Sequence, residues 1–357
     1  MYLKHLKVEN LRSLRSVNIR PSGGLNLIFG SNGSGKTSLL EAIYLLGQGR
    51  SFRSRLSRDI ISRQSDMLRV VAQLVNPKEE ETTLGVEKTT STQRYRHAGE
   101  DVRSASLLAR LVPTLLITPE SQRLMTDGAR LRRRMLDWAL FHVEPQYNVV
   151  LQKYRLALRQ RNAELRTHAD RLALVSWSKE MANNASRLHY YRQRYSDAVK
   201  GPLDSLVSEL LGVDIDISYQ PGWDTDFELV DVLGRGECRD IKRGYTSDGP
   251  HRADIQFLVN GRAAHNVLSR GESKLFVAAV LLTQSRLVAE QGIEKPVILI
   301  DDLASELDSR NRYRLLEALR RCPSQVFITA TEREALHLDT WPCRKLFHVE
   351  HLEDSPA

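Results

Sequence analysis

The stretch Gly30-Ser31-Asn32-Gly33-Ser34-Gly35-Lys36-Thr37-Ser38 limits what this chain can fold into more than any other. It fits the G-x-x-x-x-G-K-[ST] pattern, with Gly30, Gly35, Lys36 and Thr37 on the required positions. The apolar run Leu25-Asn26-Leu27-Ile28-Phe29 before it suits a buried strand, and Leu39 to Leu46 after it suits a helix. In the order strand, loop, helix, the glycines let the backbone aim successive N–H groups inward as a nest for phosphate oxygens. The helix N-terminus adds its partial positive charge. Lys36 then reaches the β- and γ-phosphates of a nucleotide and the Thr37 hydroxyl holds Mg²⁺. Residues 30–38 are thus the expected contacts, and ATP with Mg²⁺ the expected ligand.

Such a loop needs a carboxylate partner at the end of a neighbouring strand. Pro296-Val297-Ile298-Leu299-Ile300-Asp301-Asp302 is an apolar strand running into two acids. Asp301 fits the Walker B acid on Mg²⁺, and Asp302 sits where a second acid orients or deprotonates a water.

Around these elements the 357 residues are too many for one typical domain and predict a two-lobed body or a domain with an insertion. Apolar content is 41%, and no run reaches the ~20 apolar residues of a membrane span. Residues 1–8 read as an alternating strand rather than a signal peptide. Cys238, Cys322 and Cys343 lack C-x-x-C spacing, so a reduced cytosolic protein without a zinc site is expected. Net charge is +8 with pI near 9.4, which suits a polyanionic partner.

Strands are predicted at 3–8, 16–19, 67–75, 82–87, 93–97 and 115–118, the first two as a hairpin. From Glu120 to Leu211 the texture is helical, and 16 Lys/Arg against 10 Asp/Glu give this part +6 of the total. Leu151, Leu158, Leu165 and Leu172 recur every seven residues, as in one seam of a short coiled coil. Tyr154 suits the second seam position, whereas Arg161 and His168 do not. As a single helix this stretch would be about 33 Å long. Asn183-Asn184, Gly201-Pro202 and Gly212 are expected breaks. Arg130, Arg132, Arg133 and Arg134 either touch nucleic acid or form a solvated face; Arg50-Ser51-Phe52-Arg53-Ser54-Arg55 poses the same choice. Strands return at 214–219 and 253–259, the latter ending in an Asn260-Gly261 hairpin turn. Residues 225–238 read as helix or loop. A long helix is expected from Leu275 to about Gln291, a loop at 303–308, a helix at 310–321 and a buried strand at 326–329.

Three further pieces narrow the class. Ser269-Arg270-Gly271-Glu272 resembles the L-S-G-G-Q signature of ABC-type ATPases, and Ser305-Glu306-Leu307-Asp308 resembles their D-loop. Thr329-Ala330-Thr331 occupies the switch position where most relatives carry histidine. The opening Leu3 to Leu14, Arg50-Ser51-Phe52-Arg53 and Thr118-Pro119-Glu120 resemble the RecF family. So do Arg132-Arg133-Arg134-Met135-Leu136-Asp137, Ser247-Asp248-Gly249-Pro250-His251-Arg252 and Asp301 to Asp308, and the likeness extends over nearly the whole chain. It is similar in turn to the head domains of SMC-type proteins.

The resemblance implies an α/β fold: a P-loop ABC-type, SMC-head-like ATPase domain with an inserted α-helical arm. The expected division is 1–119 with Walker A, 120–211 as basic helical insertion, and 212–357 with signature, Walker B and D-loop. It implies an ATP-dependent homodimer in which Ser269 and Gly271 of one subunit complete the other's site. Arg270, Glu272 and Asp302 depart from the usual signature and catalytic glutamate, so slow, DNA-stimulated hydrolysis is expected. In the family's Q-loop region the chain offers Glu120 and Gln122. A cytoplasmic, nucleoid-associated repair factor is implied, binding single-stranded and double-stranded DNA and their junctions without sequence preference. Its implied partners are RecR and RecO, and functionally RecA and single-strand binding protein, in recombination, replication restart and SOS induction. The alternative is the ATPase subunit of an ABC transporter, against which the SMC-like opening strand and basic insertion stand. A nuclease-linked ATPase would need an acidic domain after Thr331. A vestigial P-loop is opposed by the intact Lys36-Thr37 and Asp301.

Overall fold

The computed structural model describes residues 1–167, 171–291, 294–303, 307–333, 336, 338, 341 and 343–352. The chain divides into two compact units, one of residues 1–122 with 270–357, the other of 123–269.

The first unit opens with β1 (Tyr2–Leu11) and β2 (Leu14–Ile19), the expected hairpin. Leu3, Leu6, Val8 and Leu11 of β1 are buried. A register shift between Leu3 and His5 explains why the alternation skips a beat there. β3 (Leu25–Phe29) leads into the glycine loop and α1 (Lys36–Gln48). β4 (Met67–Val75), β5 (Glu81–Thr89), β6 (Gln93–His97) and β7 (Glu100–Val102) extend the hairpin into an antiparallel sheet of order β2-β1-β4-β5-β6-β7. α2 (Ala105–Leu111) and β8 (Thr114–Ile117) follow.

The second unit begins with α3 (Arg123–Thr126), α4 (Ala129–Val143), α5 (Tyr147–Thr167) and α6 (Arg171–Leu211). The leucine seam holds only in part. Leu151 and Leu165 are buried on α5, but Leu172 belongs to the next helix and is 79% exposed. His168 lies outside the described residues. Arg161, judged unfit for the seam, is 1% exposed and ion-paired to the fully buried Asp240 at 2.9 Å. Nor do Asn183-Asn184 and Gly201-Pro202 break α6. The Asn184 amide folds back onto the Glu180 carbonyl at 2.8 Å. Pro202 is carried because Leu203, Val207 and Leu210, all 0% exposed, keep one face of the helix in the core. Gly212, at φ 71°, ends the helix as expected.

β9 (Ile215–Gln220), α7 (Leu229–Arg235), α8 (Glu237–Arg243), β10 (Asp254–Val259) and β11 (Arg262–Ala263) complete this unit. Asn260 and Gly261 both have positive φ, at 50° and 72°, the signature of a type I′ hairpin turn. Because β9 packs on α6 and β10 on α4, the inserted unit runs to Ser269, well beyond the expected limit at 211.

The chain then returns to the first unit through α9 (Arg270–Glu290), which starts five residues earlier than its apolar run suggests. β12 (Val297–Ile300), α10 (Ser309–Arg320), β13 (Gln325–Ala330) and β14 (Arg344–His348) follow. They build a parallel sheet of order β14-β3-β13-β12-β8. α1 packs against strands of both sheets, and its buried residues Leu39, Leu40, Ile43, Leu45 and Leu46 share the core with Leu6, Val70, Leu299 and Phe327. β14 was not expected: Arg344-Lys345-Leu346-Phe347-His348 is an edge strand carrying two cations and no buried residue.

Candidate nucleotide site

Parallel pairing of β3 with β13, and of β13 with β12, brings Walker A and Walker B to the same end of one sheet. In open sheets of this kind ligands bind beyond the strands' carboxyl ends. Thr37, first turn of α1, donates its hydroxyl to Asp301 Oδ1 at 2.9 Å, with Oδ2 at 3.1 Å. Lys36 is 8% exposed, and its ammonium donates to the Gly30 and Ser31 carbonyls, each at 2.8 Å. A side chain at Gly35 would be strained, since its φ is 107°, and its Cβ would lie 2.8 Å from Leu14 Cδ2, which would have to move. Ser34 Oγ is buried without a hydrogen-bond partner among the described residues. Asn32 and Gly33 are exposed, whereas Ser38 is buried on α1.

Sequence reasoning placed Thr329 in the switch triplet but missed its contact with Asp301 and Asp302. Fully buried at the end of β13, its hydroxyl donates to Asp301 Oδ1 at 2.8 Å and accepts from the Asp302 N–H at 2.7 Å. That second bond holds Asp302 at φ 54°, a left-handed conformation that costs an aspartate ~1 kcal/mol or more. A lone hydroxyl in the otherwise apolar Val326-Phe327-Ile328-Thr329-Ala330 was the available signal. Thr331, the expected switch residue, is exposed just past the strand. Thr329→Val should leave the half-buried Asp302 N–H without this acceptor and destabilise the chain by about 1 kcal/mol. Urea unfolding measures it, and Thr329→Ser should restore most of the loss.

Glu120 and Gln122 are placed differently. Gln122 lines a cleft with Thr118, Ser121, Lys274 and Asp301, whereas Glu120 is exposed. Lys274, in the second turn of α9, is a further cation at this cleft that the signature alone does not reveal. Ser269 directly precedes α9 and Gly271 lies in its first turn. Ser305 and Glu306 of the D-loop lie outside the described residues. Asp308 caps α10 by accepting from the Asn311 N–H at 2.9 Å.

The arginine candidates separate. Arg132 binds Asp254 through two nitrogens at 2.8 and 3.0 Å and donates to the Asp127 carbonyl; Arg133 donates to the Ala253 carbonyl at 2.7 Å. Both thereby help hold α4 on β10, so part of each guanidinium's donor capacity is already engaged. Arg130 and Arg134 are exposed. Beyond α1, Arg50, Arg53 and Arg55 are exposed while Phe52 packs edge-on against Tyr44 at 5.3 Å. Arg12, from the opening motif, pairs instead with the buried Glu41 of α1.

The family described as the RecF/RecN/SMC N-terminal domain matches residues 2–353. The DNA replication and repair protein RecF of Shewanella piezotolerans is 39% identical over 355 residues, covering 98% of each chain. The RecF of Stutzerimonas stutzeri is 41% identical, covering 98% of this chain and 96% of its own. The chain belongs to the RecF family. A solved structure of the recombination mediator protein RecF with ATP superposes with a TM-score of 0.84 at 26% identity, covering 98% and 96% of the two chains. An Smc head bound to the C-terminal winged-helix domain of ScpA gives 0.60 at 14% identity, covering 94% and 91%, and shares the fold. Family membership accords with the Walker A, signature and Walker B order and with the ABC-type ATPase class. Among the described residues no helix of this RecF-family chain is long and apolar enough to cross a membrane.

Proposed function

We propose that this chain is an ATP-dependent DNA-binding repair protein that uses ATP as a clamp. It binds ATP with Mg²⁺, pairs with a second copy on DNA, and hydrolyses slowly with stimulation by DNA. With RecO and RecR it then promotes RecA loading at gaps and single-strand/double-strand junctions, for recombinational repair, replication restart and SOS induction. The observation that carries this reading is the hydrogen-bonded set Thr37–Asp301–Thr329, a hydroxyl and a carboxylate arranged for a divalent cation beside a phosphate nest. The recombination mediator RecF solved with ATP and described as part of the RecFOR pathway supports the ligand and the pathway.

The residues fit the absent groups. A buried Ser34 hydroxyl with no hydrogen-bond partner among the described residues and the Lys36 ammonium suit phosphate oxygens, while Thr37 and Asp301 offer the oxygen donors Mg²⁺ favours. Bound Mg²⁺ supplies neutralisation of phosphate charge. Gln122 and Asp302 orient water, and Asp302, one methylene shorter than the usual glutamate, makes a slow base. Turnover should fall below the ~10 s⁻¹ usual for efficient enzymes. Ser269 and Gly271, at a helix N-terminus, complete the site on a second copy. DNA is held by its backbone, so binding should weaken steeply with salt.

Sedimentation with labelled duplex, with and without ATP and Mg²⁺, tests the clamp. ATP should drive dimers onto DNA in the wild type; Lys36→Met and Ser269→Ala should abolish this, and Asp302→Asn should make it persist. Indifference of every variant to ATP would refute the clamp, and membrane association without DNA affinity would favour a transporter subunit.

A further inference from the structure

The family-like stretch Ser247-Asp248-Gly249-Pro250-His251-Arg252 takes no part in the nucleotide site, yet the loop containing it is fastened by an unusual number of buried polar contacts. The Arg161 guanidinium reaches both Asp240 and Thr246 Oγ1. Asn162 Oδ1 accepts from the Thr246 N–H at 2.8 Å and its hydroxyl at 2.7 Å. His251 accepts at Nδ1 from the Tyr154 hydroxyl at 2.7 Å and donates from Nε2 to the Thr246 carbonyl at 3.0 Å. Burial draws this imidazole down to about 4, so the ring is neutral at pH 7 and keeps those two roles. Arg192 donates to the Pro250 carbonyl at 2.7 Å. A polar network of this kind contributes less net stability than an apolar core would. What it does supply is a rigidly placed backbone.

On the surface, that backbone presents an aromatic ring and a set of cations. Tyr245 is 41% exposed, with the Arg252 guanidinium 5.3 Å from its ring centroid. Arg166, Lys242 and Arg243 are exposed nearby in the chain or in space, and a Cβ on Gly244 would lie 3.3 Å from Arg166 Cγ. None of these four cations has a carboxylate partner among the described residues. Two of the nearby acids are already engaged, Asp248 by Arg239 and Asp240 by Arg161, and Glu164 on the helix of Arg166 turns one carboxylate oxygen into the interior. An exposed ring flanked by uncompensated cations matches a strand that offers both a base face and phosphates. Duplex DNA offers phosphates but keeps its base faces stacked on one another, and an acidic protein segment would leave the ring without a role.

We propose that the surface around Tyr245 and Arg252 holds single-stranded DNA, with the ring stacking on a base and Arg252, Arg243, Lys242 and Arg166 on the phosphates. The proposal rests on the DNA-binding reading above and adds where, and by what chemistry, the single strand is gripped. Because Tyr245 and Arg252 project outward, their replacement spares the buried network.

Fluorescence anisotropy with a labelled oligothymidine of about 20 nucleotides, and with a duplex, tests it. Tyr245→Ala should weaken single-strand binding roughly 10- to 100-fold, leave its salt dependence unchanged and affect the duplex far less. Tyr245→Phe should bind as the wild type does. Arg252→Ala should lower the slope of log affinity against log salt by about one. ATP binding by every variant should match the wild type. If the wild type binds the strand and both alanine variants bind it equally well, or if Tyr245→Ala weakens strand and duplex alike, the proposal fails while the DNA-binding reading survives. If the wild type binds neither nucleic acid, both fail.

Discussion

Arg161→Ala should lower the unfolding free energy by about 3–5 kcal/mol, because it strands the Asp240 carboxylate in the core without its countercharge. Asp240 is 0% exposed, and its remaining protein contact is the Ser247 N–H at 3.2 Å, along with the distant Arg239 guanidinium at 3.7 Å. Three of the chain's four tryptophans, Trp138, Trp177 and Trp223, lie in the 123–269 unit. Urea unfolding followed by tryptophan fluorescence therefore reports mainly on it. Pairing Arg161→Met with Asp240→Leu should recover most of the loss, since removing both charges leaves no buried ion and only the Ser247 N–H loses an acceptor. A single-variant effect under about 1 kcal/mol would show that water reaches the pair.

Asp301→Asn should cut ATP turnover by roughly 100-fold or more, about 3 kcal/mol of transition-state stabilisation at 1.36 kcal/mol per decade. The carboxylate receives hydroxyls from Thr37 and Thr329 and is the expected anionic donor to Mg²⁺. An amide keeps the shape and loses the charge. The discriminating measurement is ATP affinity at rising Mg²⁺. Wild-type affinity should climb with the metal and the variant's should stay flat, while its melting temperature remains near the wild type's. A variant that still responds to Mg²⁺ like the wild type would mean that the cation is held elsewhere.

Much of this architecture was legible because the chemistry is local. A phosphate loop needs glycines at fixed spacing, and a Walker B strand needs an apolar run ending in acid. Both signals occupy a handful of consecutive residues, so Lys36, Thr37 and Asp301 stand out in the sequence as candidates, and the fold brings Thr37 and Asp301 within hydrogen-bond distance. Thr329 does not stand out in this way, because its role exists only once β13 lies beside β12, a pairing that no local pattern encodes. Pro202 and Arg161 misled for the same physical reason in opposite directions. A proline reads as a break until the buried face on either side outweighs the lost hydrogen bond. An arginine at a seam position reads as solvent-facing until a remote aspartate, here 79 residues away, neutralises it. In the basic run at 130–134, charge counted along the sequence includes cations engaged by Asp254 and by main-chain carbonyls, which no local pattern shows. β14 escaped notice because an edge strand needs neither alternation nor a buried face.

The route of the chain through the parallel sheet bears on how the protein is made. β3 lies between β13 and β14, and the hydroxyl–carboxylate contact of Thr37 with Asp301 spans 264 residues. During synthesis at ~5–20 residues per second the glycine loop leaves the ribosome many seconds before either neighbouring strand exists. Until then, the backbone N–H and C=O groups along both edges of β3 have no strand partner, and nascent chains expose them to chaperones or to one another. The intervening residues 123–269 complete their own contacts first, so they can fold while the nucleotide site is still half built. A prematurely terminated product would carry the phosphate loop without its carboxylate. The carboxylate that meets the phosphate loop thus arrives only after the whole 123–269 unit has been made.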